Sequence, residues 1–308
     1  MNLVYLGTPR FAVPTLEAIL AAGHRVLAVI AQPDRAKGRE RIVSAGPVKE
    51  CALRHGLAVY QPERIRHPEA QEHLRTLKPD AMVVVGYGQI IPQTVIDMAP
   101  LGIINVHASL LPKYRGAAPI QWAIARGERI TGVTTMRIDA GLDTGDILLQ
   151  SETAIGPEET APELSERLAA MGAELLVQTL KTSPDPRPQD SREATIAPIL
   201  KKEDGRIAWL RSAQEIHNQV RGLLPWPGAH TTFRGRGMQV WKACVSEALS
   251  ERAPGSIWRA GAVLAACGGS SSIELLEVQL EGKKRMAAEV FANGRRFADN
   301  ETLGGPHF

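Results

Sequence analysis

The segment 102–116, GIINVHASLLPKYRG, holds an amide and an imidazole two residues apart, Asn105 and His107. The run Gly102–His107 is apolar and β-branched, as a buried strand is, and strand side chains alternate faces, so Asn105 and His107 project together. In open α/β sheets, ligands sit beyond the carboxyl ends of the strands. An amide N–H placed there can steady a developing oxyanion, and an imidazole can move a proton. On residue type alone His107 reads either as a satisfied structural histidine or as such a proton carrier. A second segment, DAGLDTGD (139–146), places Asp139, Asp143 and Asp146 in a Gly-rich loop after the alternating run GVTTMRI (132–138). It does not fit a calcium loop. It reads either as a polar turn ahead of the next strand or as the source of a carboxylate that orients His107. Spacing does not choose among the three aspartates. No G-x-S-x-G nucleophile elbow occurs, so no covalent acyl intermediate is expected. Asn, His and Asp without a nucleophile suit direct transfer of an acyl-like group to an incoming amine.

The elements needed to position these groups are legible along the first part of the chain. Apolar runs at Asn2–Leu6, Arg25–Ala31, Leu57–Tyr60, Asp80–Val85 and Gly102–His107 alternate with helical spacing at Phe11–Ala22, Gly46–His55 and Glu69–Leu77. Strands separated by helices predict a doubly wound, mostly parallel α/β sheet of Rossmann-like type. The first turn, Gly7-Thr8-Pro9, lacks the G-x-G-x-x-G dinucleotide fingerprint, and no P-loop is present. Ala161–Lys181 has Leu164, Leu168, Met171 and Leu175 on one helical face, a packing stripe. Four prolines between Lys181 and Pro198 mark a linker, set at 184–208 between a catalytic domain at 1–183 and a second domain at 209–308. The second domain opens with a helix at Ala213–Leu223. Short strands follow at Met238–Val245, Gly255–Trp258, Ala262–Ala266 and Ile273–Val278, which predict a small OB-like β-barrel.

Composition narrows the function classes. The chain has 308 residues, 44% hydrophobic and 22% charged, a globular balance with enough apolar mass for two cores. The longest stretch without a charged residue, Ala81–Ile96, is interrupted by Gly86, Gly88 and Pro92 and is too short to span a bilayer. No signal peptide is evident, and Cys51, Cys244 and Cys267 form no C-x-x-C pair, so a reducing cytoplasm is expected, with no disulfides and no metal site. Residues 209–308 carry 12 Lys and Arg against 9 Asp and Glu, which accounts for the whole net charge of +3. A local basic stretch, Pro33–Lys49, reads as a solvated loop or as a contact for a polyanion.

Asn105-x-His107, the run Ser109–Gly116 and Leu142-Asp143-Thr144-Gly145-Asp146 together resemble the folate-dependent formyltransferases. The resemblance implies 10-formyltetrahydrofolate as co-substrate and a catalytic trio of Asn105, His107 and Asp143. It selects Asp143 among the three aspartates. It also implies that Ser109, Leu110, Leu111 and Pro112 contact the folate. Further matches at Gly7–Pro14, Gln32–Arg35, Pro47–Lys49, Tyr60–Pro62, Lys202–Gly205, Pro225–Ala229 and Gly282–Met286 extend over nearly the whole chain. They resemble the branch of that family that formylates charged initiator tRNA. That branch implies a tRNA-binding role for the second domain and a loop at Asp34–Ala45 that approaches the acceptor stem through Arg35, Lys37, Arg39 and Arg41. Three departures stand out: Arg10 in place of an acidic residue, Glu40 within the basic loop, and no second proline near Ser44. The expectation is a monomeric cytoplasmic enzyme. The alternatives are a formyltransferase acting on an aminated sugar nucleotide or a purine precursor, and a non-catalytic RNA-binding protein.

Overall fold

The computed structural model describes residues 1–37, 42–293, 297–298 and 301–304. They pack as two units: Met1–Gly116 with Ile130–Ala154 and Ser165–Ile196, and Ala117–Arg129 with Ile155–Leu164 and Ala197–Phe308.

In chain order the first part runs β1 (Asn2–Gly7), α1 (Val13–Ala21), β2 (Arg25–Ile30), β3 (Arg35–Lys37), β4 (Ile42–Ser44), α2 (Pro47–Arg54), β5 (Val59–Tyr60), α3 (Pro68–Leu77), β6 (Ala81–Val85), α4 (Gln93–Ile96) and β7 (Ile103–His107). Then come β8 (Arg115–Gly116), α5 (Pro119–Ala125), β9 (Ile130–Arg137), β10 (Ile147–Ala154) and α6 (Ala161–Thr182). The main sheet has the order β10-β9-β7-β6-β1-β2-β5. It is parallel from β5 to β7 and antiparallel at β9 and β10. This is the doubly wound arrangement expected, with an antiparallel edge. Helices α1, α2, α3 and α5 each begin with proline at the first or second position, where its missing N–H costs nothing.

Apolar residues cover both faces of the sheet. Leu3, Tyr5, Val83, Ile104 and Val106 face one layer, with Leu176 and Leu180 of α6. Val4, Leu6, Met82, Val84 and Ile103 face the other. The α6 stripe is broader than the four positions in the sequence pattern: Leu164, Leu168 and Leu175 are buried, Met171 only partly, and Ala173 and Leu176 join them. At Gly172 a Cβ would lie 2.8 Å from Val106 Cγ1, so the missing side chain lets α6 sit directly under β7. The first turn is shaped by packing. A Cβ at Gly7 would meet the Tyr5 ring at 2.9 Å and the Val85 carbonyl at 3.1 Å.

The stretch beyond α6 carries β11 (Ile196–Ala197) and two 3-10 turns at Ser191–Glu193 and Lys202–Gly205. The second unit adds α7 (Ala213–Gly222), β12 (Ala229–Phe233), β13 (Arg236–Ser246), β14 (Ile257–Ala260), β15 (Ala262–Ala266), β16 (Ser272–Leu280), β17 (Met286–Ala287) and α8 (Ala288–Asn293). The helix α7 starts at a reciprocal Ser212–Glu215 cap. Its antiparallel sheet has the order β12-β13-β16-β15-β14, with β17 on β16. Leu303 bridges to Phe233 and Thr302 to Ser256, so one short segment joins the two outer edges of the sheet. The sequence pattern missed β12, β17 and α8, each short or flanked by glycine and proline.

Candidate active site

Strand β7 ends the parallel part of the sheet, between β6 and β9. Asn105 and His107 lie on the face opposite Ile104 and Val106, and both are buried. No hydrogen bond from the described residues occupies the Asn105 amide, although its neighbours are tightly held. The His107 ring is fixed from two sides. Its Nε2 lies 2.9 Å from the Tyr114 carbonyl, which can only accept, so Nε2 carries a proton. Its Nδ1 lies 3.7 Å from Asp143 Oδ2, an ion-pair distance rather than a hydrogen bond. Nδ1 is therefore the ring nitrogen at which a proton can come and go.

Tyr114 and Asp143 both have left-handed backbone conformations, with φ of 61° and 51°. For residues with a side chain this costs about 1–3 kcal/mol each and persists only where the surroundings enforce it. The enforcing contacts are visible. Asp143 Oδ2 accepts the Gly116 N–H at 2.8 Å. Tyr114 N–H donates to Thr195 Oγ1 at 2.9 Å, and Arg115 N–H to the Thr195 carbonyl at 2.8 Å. Gln189 donates to the Asp143 and Gly145 carbonyls.

Of the three aspartates, Asp143 alone meets His107. Asp139 accepts from the Gly141 N–H and the Thr144 hydroxyl, closing a local turn. The Asp146 carbonyl accepts the Arg137 N–H at the mouth of the loop. Both readings of the loop thus apply at once: Asp139 makes the polar turn, and Asp143 reaches the histidine.

The segment Ser109–Pro112 follows β7. Ser109 is buried and its hydroxyl donates to the Lys113 carbonyl at 2.6 Å. Leu111 is buried with Met136 and Ile147. Thr134 donates to the Ser109 carbonyl at 2.6 Å and accepts the Leu111 N–H at 3.2 Å. Gln150 donates to the Leu111 carbonyl at 2.9 Å. The Leu111–Pro112 peptide is cis. These bonds commit the Ser109 hydroxyl and the Leu111 side chain to the loop itself and leave the half-buried Leu110 and Pro112 as its open surface.

The expected polyanion loop contains the hairpin β3–β4, paired Arg35↔Ser44 to Lys37↔Ile42. Arg39 and Arg41 lie outside the described residues, and Arg35 and Lys37 are placed by backbone alone. The hairpin base is clamped. Asp34 accepts from Lys49 and from Gln61, and Gln61 also donates to the Gln32 carbonyl at 2.8 Å. The Lys49 ammonium, then Gln61, holds the Asp34 carboxyl below its ordinary pKa. On the neighbouring β6 loop, the Tyr87 hydroxyl is buried with no hydrogen-bond partner among the described residues, and burial pushes its pKa up to about 12.

Sequence reasoning did not find Tyr114, Gly116, Thr134, Gln150, Gln189 or Thr195. Most act through backbone atoms or through partners far along the chain, which leave no local pattern.

Comparison with known proteins bears on both units. Residues 1–180 match the model of the formyl transferase family, and residues 199–296 match that of the formyl transferase C-terminal domain. The methionyl-tRNA formyltransferase of Solibacter usitatus (strain Ellin6076) is 61% identical over 311 residues, covering 100% of both chains. That of Koribacter versatilis (strain Ellin345) is 56% identical over 310 residues, covering 99% of each. Among solved structures, the N-formyltransferase of Helicobacter canadensis, in complex with folinic acid and dTDP-3-aminofucose, superposes with a TM-score of 0.68. It covers 89% of this chain and 98% of its own at 20% identity, which speaks for the fold.

Proposed function

From the premise that the chain belongs to the methionyl-tRNA formyltransferase family, we propose that Asn105, His107 and Asp143 are its catalytic trio. The enzyme transfers the formyl group of a formyltetrahydrofolate to methionyl initiator tRNA. We take the donor to be 10-formyltetrahydrofolate and the acceptor atom to be the α-amine of methionine. The observation that carries this reading is the pairing of one aspartate with His107 beside an Asn105 amide that no described residue occupies.

The chemistry follows from the donors and acceptors. The neutral amine attacks the formyl carbon; the new C–N bond forms as the carbonyl oxygen takes on negative charge. Asn105 donates an N–H to that oxygen, and one well-placed donor lowers such a barrier by about 3–4 kcal/mol. The oxyanion then collapses and the bond between the formyl carbon and the folate nitrogen breaks, so the attacking nitrogen must lose a proton and the departing folate nitrogen must gain one. His107 handles this traffic at Nδ1, because the Tyr114 carbonyl holds the proton on Nε2. Asp143 faces Nδ1 and stabilises the imidazolium that forms. The half-buried side chains of Leu110 and Pro112, with the backbone of Ser109–Pro112, offer an apolar wall to the folate.

The hairpin β3–β4, with the residues between its strands, is the approach to the acceptor stem, where Arg35, Lys37, Arg39 and Arg41 supply charge for phosphates. The enzyme works as a cytoplasmic monomer with a catalytic domain at 1–183, a connecting stretch at 184–208 and a tRNA-binding domain at 209–308. Formyl transfer measured with charged initiator tRNA, free methionine and an amino-sugar nucleotide as parallel acceptors tests the substrate. Product on the tRNA alone is expected. Product on the sugar alone would keep the trio and overturn the acceptor.

A further inference from the structure

We infer that Gln189 is a positioning residue that sets the Asp143 loop against His107. The inference rests on the assignment of Asp143 to the catalytic trio. Gln189 lies in the Pro-rich stretch after α6, where composition alone reads as a connector. That stretch is fastened to the site. Arg187 and Ile147 exchange two backbone hydrogen bonds, both at 2.8 Å, which tie it to the start of β10. Two residues on, the Gln189 side chain makes four hydrogen bonds. Its Nε2 donates to the Asp143 carbonyl at 2.9 Å and to the Gly145 carbonyl at 2.7 Å. Its Oε1 accepts from Arg115 Nε at 3.1 Å and Arg115 Nη2 at 2.8 Å.

The amide can be oriented in only one way. Guanidinium nitrogens only donate and carbonyls only accept, so the oxygen must face Arg115 and the nitrogen the loop. Gln189 therefore ties together the two segments that define the His107–Asp143 geometry. Segment 114–116 supplies the carbonyl that holds His107 Nε2 and the N–H that holds Asp143 Oδ2. Segment 143–145 carries the carboxylate itself, on a left-handed residue that needs external ties.

Residue type separates this role from ordinary structural support. Arg115 is 7% exposed, and its buried cation needs an acceptor. A glutamate at 189 would serve Arg115 better than an amide does. It would offer no proton to the two loop carbonyls and would repel them. Glutamine is the side chain that satisfies both, so the isosteric Gln189→Glu keeps the anchor and releases the loop.

The test compares Gln189→Glu, Gln189→Ala, Asp143→Asn and the double variant Gln189→Ala/Asp143→Asn in single-turnover and steady-state formyl transfer to charged initiator tRNA, with thermal melting in parallel. Gln189→Glu should melt at or above the wild-type temperature, keep KM for both substrates within about threefold, and lose ~10–100-fold in kcat. Gln189→Ala should lose a similar factor with a lower melting temperature, which answers the question even where the glutamate variant folds poorly. If Gln189 acts through Asp143, adding Gln189→Ala to Asp143→Asn should cost almost nothing further. Wild-type kcat in Gln189→Glu, or full additivity in the double variant, overturns the positioning role while a crippled Asp143→Asn leaves the trio standing. An Asp143→Asn variant of wild-type rate would instead remove the trio assignment, and this inference with it.

Discussion

Replacing Gly145 by alanine perturbs the site without touching a reacting group. A Cβ at Gly145 would lie 2.0 Å from the Arg137 carbonyl oxygen, 2.9 Å from the Arg137 carbonyl carbon and 3.4 Å from the Asp139 nitrogen. All three are backbone atoms, so no rotamer change relieves the clash. Real Cβ contacts essentially stop at 3.0 Å, so the loop must open by about 1 Å. The Arg137 N–H to Asp146 carbonyl bond, 2.9 Å long, pins the mouth of the loop, which directs the displacement toward Asp143. Moving Asp143 outward by that amount stretches its 2.8 Å bond from the Gly116 N–H beyond hydrogen-bond range. It also widens the 3.7 Å gap to His107 Nδ1. A misplacement of this size costs up to ~100-fold in rate, equivalent to about 2.7 kcal/mol of barrier. The assay is single-turnover formyl transfer at saturating folate, with thermal melting to confirm the fold. A Gly145→Ala enzyme with wild-type turnover would refute the claim that loop placement controls the chemistry.

Three further substitutions probe the supports around the site. Gly172→Ala sets two effects against each other. Helix propensity favours alanine by about 1 kcal/mol, and the 2.8 Å approach to Val106 Cγ1 opposes it by about 1–3 kcal/mol; a net loss of stability in urea unfolding is expected. Asp34→Asn should lose up to about 1 kcal/mol at neutral pH by breaking the clamp with Lys49. Because Lys49 and Gln61 depress the folded-state pKa of Asp34, the wild-type advantage holds above the unfolded carboxylate value, about 3.9, and fades as pH falls through the lower folded value. Unfolding compared at pH 7 and in the acid range checks the sign. Tyr87→Phe removes a buried hydroxyl that has no partner among the described residues, and should raise stability by about 1 kcal/mol in the absence of ligand.

Much of the architecture was legible because it rests on local pattern. Buried parallel strands read as continuous apolar runs, as in Ala81–Val85, and the helices Pro47–Arg54 and Pro68–Leu77 show helical spacing at Gly46–His55 and Glu69–Leu77. The alternation rule places Asn105 and His107 on one strand face with no further information. Residue type and spacing left the three aspartates equivalent. The choice of Asp143 came from family resemblance, and its geometric basis is the left-handed turn that swings its carboxylate toward His107. What the sequence conceals are the supports. Tyr114 acts through a carbonyl, Gly116 through an N–H, and Gln189 through contacts 74 and 44–46 residues away. Such bonds carry no periodicity. A Pro-rich stretch looks the same in sequence whether it floats or is fastened. In sequence the β3–β4 hairpin likewise looks like a loop, because three-residue strands fall below the length at which alternation is informative.

The role proposed for Asn105 is to steady the oxyanion of formyl transfer to charged initiator tRNA. Its most direct test is the single-turnover rate of Asn105→Ala against wild type, with 10-formyltetrahydrofolate and methionyl initiator tRNA both saturating. Transfer should be ~100–1,000-fold slower, with folate binding and thermal melting close to wild type. A folded Asn105→Ala enzyme that formylates the tRNA at the wild-type rate would contradict it.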